Sequence, residues 1–309
     1  MKLVLSGIVF LACLFNGTKE GSARLLDRNC GISTIDDIEG LIHNGNKTTI
    51  KENPWMVMIS RKNGLSFDFV CGGTLITTRL VLSAAHCLYF DDTYLHLGDY
   101  LIKDPEPVCT LDKCIPKMYN HIADMKFVHR DYKGSIADGS RKFDIGMFRM
   151  KEEVTYSDYV RPICLLVDEP IIQARQFNIT GWGKTKQEQP VNRILQTGTV
   201  YSMNNSYCDA KYSTHTDESQ ICVASNSTGS CEGDSGGPLS SMMFYENTNR
   251  TFQYGLVSFG SEKCIKQSVL GVLTNVTHYM KWIENVVEVS ETQYPGNSGF
   301  WHKITIIPL

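Results

Sequence analysis

Short runs of β-branched and aromatic residues, separated by glycine, asparagine, aspartate and proline, make up most of the chain from residue 54 onward. Runs of this length and composition predict β-strands joined by turns. The clearest are residues 67–71, 73–75, 80–83, 177–181, 197–202, 254–259 and 271–274. Regular alternation of strands with helices is not visible, which favours an antiparallel sandwich or barrel. One amphipathic helix is predicted over residues 277–287, since Met280, Ile283, Val286 and Val287 share a helical face.

The first residues have the pattern of a targeting signal. Met1-Lys2 is followed by an apolar run over residues 3–15, which is too short to span a bilayer. We expect residues 1–20 to be a signal peptide, with cleavage between residues 17 and 23, so the mature protein is predicted to be secreted and not embedded in a membrane. The remaining chain is divided into a pro-segment (21–41), one domain (42–287) and a C-terminal extension (288–309), whose apolar end could dock on the domain.

The cysteine count supports an oxidising compartment. Cys13 lies in the predicted signal, and an even number remains, which predicts disulfides. Metal ligation is the alternative, but the spacing matches no zinc motif, and no metal site is predicted. The remaining cysteines are Cys30, Cys71, Cys87, Cys109, Cys114, Cys164, Cys208, Cys222, Cys231 and Cys264. The glycosylation sequons, which suit a secreted surface, are Asn46, Asn178, Asn204, Asn226, Asn249 and Asn275.

Three motifs contain the residue types of nucleophilic catalysis. In Cys231-Glu232-Gly233-Asp234-Ser235-Gly236-Gly237-Pro238, Ser235 stands among glycines that allow the backbone to approach a substrate closely. A serine hydroxyl needs a base to take its proton and N–H groups to hold an oxyanion. His86 ends an apolar run, and Asp144 lies inside another, where an unpaired carboxylate is costly to bury. Each motif alone also fits a surface turn or a structural histidine, but together they predict a Ser-His-Asp arrangement.

These motifs carry a resemblance to a known family. Ala84-Ala85-His86-Cys87, Asp144-Ile145, Thr180-Gly181-Trp182-Gly183 and Gly233-Asp234-Ser235-Gly236-Gly237-Pro238 resemble the motifs of the chymotrypsin/trypsin family, in the same order. The similarity runs from Ile42 to about Val287. Within the family the chain most resembles secreted single-domain proteases of insects. A six-cysteine clip module is not expected, because the predicted leader contains only Cys30.

The resemblance implies an all-β fold of two six-stranded antiparallel barrels with a C-terminal helix and with the active site at their junction. It makes His86 the general base and acid, Asp144 its orienting partner and Ser235 the nucleophile. The backbone N–H groups of Gly233 and Ser235 form the implied oxyanion hole. The implied disulfides are Cys30–Cys164, Cys71–Cys87, Cys109–Cys114, Cys208–Cys222 and Cys231–Cys264.

The resemblance also places the primary specificity pocket. Its floor, an aspartate in trypsin-like enzymes, is Gly229 here, so an entering Arg or Lys would be unpaired. Glycine at Gly260 and Gly271 leaves the walls open, which predicts a preference for Phe, Tyr, Leu or Met. Glu232 and Glu262 could attract a cation, so a tryptic or broad preference is the alternative. The full set of implied pocket residues is Gly229, Ser230, Glu232, Ser258, Phe259, Gly260 and Gly271.

Activation in this family requires cleavage before an Ile or Val, whose new ammonium pairs with the aspartate before the nucleophile. Ile42 and Asp234 match these two roles. The residue before the cleavage point is Leu41 rather than Arg or Lys, which predicts an activator with an apolar preference. Self-activation is one hypothesis, and a precursor that is rarely activated is another.

The implied function is a secreted serine endopeptidase made as a zymogen, and a non-catalytic homologue that binds partners is the alternative. The implied partners are protein or peptide substrates, an activating protease and serpin-type inhibitors, with the chain as a monomer. A net charge of −3 without a basic block gives no support for nucleic-acid binding. No cofactor is predicted. The family allows structural calcium in the loop at residues 99–109, but no ligand set stands out there. Digestion, an immune cascade and reproductive processing all remain open as pathways.

Overall fold

The computed structural model describes residues 24–34, 48–64, 66–88, 93–98, 109–110, 113–114, 119–134, 141–168, 174–184, 194–225, 234–260, 269–292 and 304–308. The predicted signal peptide, the Leu41–Ile42 cleavage point, the calcium loop over residues 99–108 and the pocket residues at 229–233 lie outside these ranges.

Within these ranges the first part of the chain is almost entirely strands. They are β1 (Arg24–Leu25), β2 (Met56–Asn63), β3 (Ser66–Leu75), β4 (Leu80–Ser83), β5 (Thr93–Leu97), β6 (Cys109–Thr110), β7 (Lys113–Cys114), β8 (Tyr119–His129) and β9 (Gly146–Met150). A 3₁₀ turn, Ala85–Leu88, follows β4.

The second part continues in the same way, with two helices. The strands are β10 (Leu166–Val167), β11 (Gln176–Gly181), β12 (Gln196–Met203), β13 (Gln220–Ser225), β14 (Pro238–Tyr245), β15 (Thr248–Gly260), β16 (Val269–Asn275) and β17 (Ile304–Pro308). The helices are α1 (Asn205–Tyr212) and α2 (Met280–Glu291), the latter preceded by a 3₁₀ turn at Val276–Tyr279.

The strands form two antiparallel barrels, as the family resemblance implies. The first has the order β8-β5-β2-β3-β4-β9 and is closed by pairing of β8 with β9. The second is a closed barrel with the order β11-β12-β13-β16-β15-β14. Closure leaves few unpaired strand edges. In the first barrel, β5 pairs only with residues 119–122 of β8, and β17 pairs with β8 beyond that point.

Strand β2 shows why its sequence is apolar at consecutive positions. Successive side chains on a strand point to opposite faces. Val57 and Ile59 pack inside the first barrel, whereas Met56 and Met58 pack into a second cluster that also contains Trp182 of the other barrel. Both faces of the first half of β2 are therefore buried, and the apolar run there does not alternate with polar residues, whereas residues 61–63 are exposed.

The C-terminal helix is present with shifted ends. The predicted range of 277–287 begins in the 3₁₀ turn, and α2 continues to Glu291 rather than ending at Val287. Trp282, Ile283 and Val286 are buried against the shared cluster, which fits the predicted apolar face. Helix α1 has no counterpart in the sequence prediction, since Cys208 is its one buried residue and it has no apolar stripe.

The predicted C-terminal extension adds a strand to the first barrel. Strand β17 pairs antiparallel with β8, from Ile304 opposite His129 to Pro308 opposite Met125. Ile304 is buried in the shared cluster, and Ile306 packs against it. The apolar end of the chain therefore docks on the domain surface by strand pairing.

Three of the implied disulfides are formed within the described residues: Cys30–Cys164, Cys71–Cys87 and Cys208–Cys222. Cys109 and Cys114 face each other in the β6–β7 backbone ladder, and their bridge stays a prediction. Cys231 and Cys264 lie outside the described ranges. Among the helices that the structure describes, none is long and apolar enough to cross a membrane.

Candidate active site

His86 lies in the 3₁₀ turn that follows β4 of the first barrel. The flanking Ala84 and Ala85 are fully buried, so small side chains let this turn pack closely against the barrel. Cys87 is bonded to Cys71 of β3, which fixes the turn to the neighbouring strand. The His86 side chain is 24% exposed, and its imidazole can therefore reach a bound substrate.

Asp144 precedes β9 and is completely buried. One carboxylate oxygen accepts the backbone N–H of His86 at 3.0 Å, and the other lies 2.8 Å from His86 Nδ1. The second oxygen also accepts the Ser258 hydroxyl at 2.5 Å. Burial alone would raise the pKa of Asp144, but the attraction of His86 and these hydrogen bonds outweigh it and hold the pKa below its usual range. The group is therefore a carboxylate at neutral pH.

This geometry sets the tautomer of His86. A buried carboxylate can only accept, so Nδ1 carries the hydrogen that lies between the two groups. The other ring nitrogen, Nε2, is then a proton acceptor. An imidazole held in this way can act as a general base, and the carboxylate stabilises the imidazolium that results.

Ser235 lies between the two barrels. Its carbonyl accepts the N–H of Gly72 on β3 of the first barrel at 2.8 Å. On the other side, Gly236 N–H donates to the carbonyl of Val257 on β15 of the second barrel, also at 2.8 Å. The backbone around the candidate nucleophile is therefore held from both barrels.

Gly236 shows why this loop needs glycine. Its φ is +76°, which is costly for a residue with a Cβ. A Cβ there would lie 2.1 Å from Ser83 Oγ and 2.4 Å from the Gly72 carbonyl oxygen. Any side chain would thus push the Ser235 loop away from the first barrel.

Asp234 is buried beside a loop of the second barrel. Its Oδ1 accepts the backbone N–H of Gly183 at 2.8 Å. A Cβ on either Gly181 or Gly183 would come within 2.3 Å of this carboxylate. The two glycines on either side of Trp182 therefore make the space that the Asp234 side chain occupies.

The predicted pocket walls lie on adjacent strands. Ser258, Phe259 and Gly260 end β15, and Gly260 is the register partner of Gly271 on β16. The two wall glycines are therefore directly opposed, as an open slot requires. Ser258 has a further role that the motifs did not reveal, because its side chain points to Asp144 rather than into the slot.

Arg141 and Phe143, in the loop just before Asp144, make contacts that the sequence analysis missed. The Arg141 guanidinium lies 5.6 Å from the centre of the Phe259 ring, and its Nη1 donates to the Ser258 carbonyl at 3.3 Å. Phe143 has a φ of +60° and stacks on His129 with ring centres 4.8 Å apart. The sequence signal is that both residues lie close to Asp144, but this position does not predict where their side chains point.

A metal ion has no suitable ligand set at this place. The donor atoms of Cys71, His86 and Cys87 lie within 4.8 Å of one another. Both sulfurs are in a disulfide, so neither is available as a thiolate. The implied pocket and oxyanion residues Gly229, Ser230, Glu232 and Gly233 lie outside the described ranges and stay predictions.

Comparison with known proteins agrees with this architecture. The family model described as Trypsin matches residues 42–283. Melanization protease 1 of Drosophila melanogaster is 33% identical over 292 residues, covering 87% of this chain and 71% of that protein. The Spaetzle-processing enzyme of the same organism is 33% identical over 282 residues, covering 84% and 68%.

A solved structure gives the same result. The Drosophila Grass clip serine protease of the Toll pathway has a TM-score of 0.71 with this chain at 28% identity, covering 87% of this chain and 76% of that one. The family match, the relatives and the shared barrels agree with one another. The chain therefore belongs to the trypsin family of serine endopeptidases.

Proposed function

We propose that this endopeptidase is secreted as a zymogen and acts through Ser235, His86 and Asp144. The observation that carries the proposal is the buried Asp144 carboxylate, which binds both the backbone N–H and the Nδ1 of His86. An arrangement that buries a charge only to orient an imidazole is expected where that imidazole transfers protons.

In the proposed reaction, Ser235 Oγ attacks the scissile carbonyl while His86 Nε2 takes its proton. The carbonyl oxygen becomes an oxyanion held by the backbone N–H groups of Gly233 and Ser235. His86 then gives the proton to the leaving amine, and the acyl group remains on Ser235. Water, deprotonated by His86, releases the acyl group and restores the serine. The nucleophile, the base and the oxyanion donors in this scheme are all groups of the protein.

A fluorophosphonate probe tests the chemistry directly. After limited proteolysis of the secreted protein, the probe should form an adduct on Ser235, located by peptide mass spectrometry. The Ser235→Ala variant should stay unlabelled. Absence of an adduct under every activation condition would instead support the non-catalytic binding homologue.

The proposed zymogen switch uses Asp234. The glycine-lined space at Gly181 and Gly183 holds its carboxylate next to the catalytic loop. Cleavage before Ile42 would create an ammonium that pairs with this buried charge and orders the oxyanion loop. A buried ion pair is favourable only where hydrogen bonds also satisfy the carboxylate, as the Gly183 N–H does for Asp234.

Leu41 makes self-activation testable. Purified wild-type precursor should acquire the Ile42 terminus, as read by N-terminal mass spectrometry, while the Ser235→Ala precursor should not. Maturation of the Ser235→Ala precursor on its own would refute self-activation and leave the switch itself intact.

We further propose a preference for large apolar residues before the scissile bond. The opposed glycines Gly260 and Gly271 support an open slot, and Gly229 places no charge at its floor. The Arg141 cation beside Phe259 also disfavours a second cation nearby. Chromogenic peptides that differ only at that residue should be cleaved fastest with Phe, Tyr, Leu or Met. Faster cleavage after Arg or Lys would favour the tryptic alternative.

Protein substrates in an extracellular proteolytic cascade are the proposed context. The support is that matched relatives are named for melanization and for Spaetzle processing. An activating protease and serpin-type inhibitors follow from such a context, and the chain is proposed to act as a monomer. Digestion and reproductive processing are the alternatives, and the tissue and fluid in which the mature protein occurs would distinguish them.

A further inference from the structure

The hairpin formed by β14 and β15 brings a sequon asparagine next to an aromatic ring. Its two-residue turn, Glu246-Asn247, has φ values of 46° and 65°, as in a type I′ turn. Phe244 is the register partner of Asn249. Directly opposed residues share a face of the ladder, with Cβ atoms about 4.5–5.5 Å apart. The side chains of Phe244 and Asn249 therefore leave the backbone side by side.

The outer face of this hairpin is unusually apolar. Met242 is 59% exposed and Phe244 is 70% exposed. Their alternate neighbours Met243 and Tyr245 pack inward against the core of the second barrel, so the strand register is well defined. We call Met242 and Phe244 the hairpin patch. Adjacent large apolar side chains on a surface point to something that covers them.

We propose that Asn249 carries an N-linked glycan whose first N-acetylglucosamine packs on Phe244. The motif Asn249-Arg250-Thr251 is a sequon, and the Asn249 side chain is exposed. Because the two residues are directly opposed, a sugar on this amide begins within reach of the Phe244 ring. One face of N-acetylglucosamine presents C–H groups, which suit an aromatic face, while its hydroxyls stay in water. This proposal rests on the proposed secretion.

The other sequons in the described ranges lack this arrangement. Asn204 Oδ1 caps α1 by accepting a backbone N–H at 3.0 Å. The Asn275 side chain is held on both sides, with Nδ2 donating to the Glu218 carbonyl at 2.7 Å. Asn178 is exposed, but its register partners are Thr199 and Ser240. Of these sequons, Asn249 is the one opposed to an exposed aromatic ring.

The first measurement is occupancy. The full chain is secreted from insect cells, and glycopeptides containing Asn249 and Asn178 are mapped by mass spectrometry. We expect Asn249 to be occupied. Secreted protein that is glycosylated at Asn178 and empty at Asn249 would overturn the proposal, whereas absence of the protein from the medium would overturn the proposed secretion instead.

The second measurement is a double-mutant cycle on stability. Asn249→Gln is compared in the wild-type background and in Phe244→Thr, which keeps a strand-forming residue. Loss of the glycan should lower the folding equilibrium constant roughly threefold to tenfold more when Phe244 is present, the size of a buried aromatic contact. Asn178→Gln is the matched control, with no expected dependence on Phe244.

Enzymatic trimming locates the contact on the sugar. Trimming the glycan to a single N-acetylglucosamine should keep the coupling, and complete removal should abolish it. Equal losses in both Phe244 backgrounds would overturn the stacking. A dimer of the Asn249→Gln variant on size exclusion, absent for Phe244→Thr, together with additive losses, would assign the hairpin patch to a second copy of the chain.

Discussion

Ser258 connects the substrate strand to the candidate catalytic pair. Its hydroxyl donates to the Asp144 oxygen that also contacts His86 Nδ1. Removing a hydrogen bond to a charged buried group costs more than removing a neutral one. Ser258 is therefore a positioning residue as well as a predicted pocket residue.

The Ser258→Ala variant should lower kcat about tenfold or more. Without the Ser258 hydroxyl, Asp144 loses one of the hydrogen bonds that hold it in position to orient His86. The pKa of Asp144 should rise, since one of the bonds that lower it is gone. Steady-state kinetics across pH measures both effects. Ser258→Thr, which keeps the hydroxyl, should recover most of the rate, and an Ala variant with unchanged kcat would contradict the role.

His96 is a second histidine with two partners, but it is buried in the first barrel and not in the active site. Its ring nitrogens lie 2.5 Å from Ser60 Oγ and 2.6 Å from Asn120 Oδ1. Burial lowers the pKa of His96, and the Asn120 hydrogen bond opposes the shift only in part. The folded protein therefore holds His96 neutral.

This arrangement predicts loss of stability in mild acid. The unfolded chain binds a proton at His96 near its ordinary pKa of 6.5, whereas the folded chain binds it only at lower pH. The contribution of neutral His96 to the free energy of unfolding is thus complete above about pH 6.5 and is lost progressively below it. Urea denaturation from pH 8 to pH 5 measures the effect.

His96→Gln should remove part of this pH dependence. His121 provides a matched comparison, since burial also lowers its pKa but it is less buried and lies near Glu152. His121→Gln should therefore change the pH dependence less. Equal acid-induced losses in the wild type and the His96→Gln variant would contradict the prediction.

At the scale of elements, β17 stabilises the first barrel from outside its closed ring. Ile304→Ala should reduce the free energy of unfolding by about 2 kcal/mol or more, because the side chain is buried. Thr305 is exposed on the same strand, and Thr305→Ala should change little. Chemical denaturation compares the two variants, and similar effects would show that Ile304 contributes no core packing.

The sequence predicted the strands better than their partners. Residues 80–83 and 271–274 were identified because strand periodicity and turn residues are local signals. The pairing of β17 with β8 depends on residues far apart in the chain, and no local pattern selects the partner. Helix α1 was missed since its short sequence has one buried residue and is stabilised by the Asn204 cap.

The candidate site was predictable to a similar degree. His86, Asp144 and Ser235 stand in motifs that closely match those of the family. The structure brings His86 and Asp144 together. The roles of Ser258 and Arg141 arise from the approach of β15 to the loop before β9. That approach is a tertiary contact, so the residues on either side of it carry no joint signature.

At the scale of the whole molecule, residues 24–34, which precede the predicted cleavage point, are attached to β10 and to α2. Strand β1 pairs with β10, and Arg24 forms an ion pair with Glu284 at 2.9 Å. Tyr156 donates to Asp27 at 2.6 Å. Burial and the Asp27 carboxylate raise the pKa of Tyr156, which keeps it a donor. Cys30–Cys164 adds a covalent link.

Cleavage before Ile42 should therefore leave the leader bound. Activated protein should run as one species on a denaturing gel without reductant and lose a small fragment when reduced. A Cys30→Ser/Cys164→Ser variant should lose the fragment on the denaturing gel even without reductant, yet keep it in native size exclusion through the noncovalent contacts. Release of the fragment from the wild type without reductant would contradict the link.

The position of β17 also has a consequence for how the protein folds as it is synthesised. Every other strand of its sheet is synthesised before it. One edge of β8, at residues 125–129, therefore stays unpaired until residues 304–308 are available. Exposed edges template pairing with other chains. A chain truncated before Ile304 should therefore aggregate more readily than the full chain through the uncovered edge of β8, although it contains all of the candidate active-site residues.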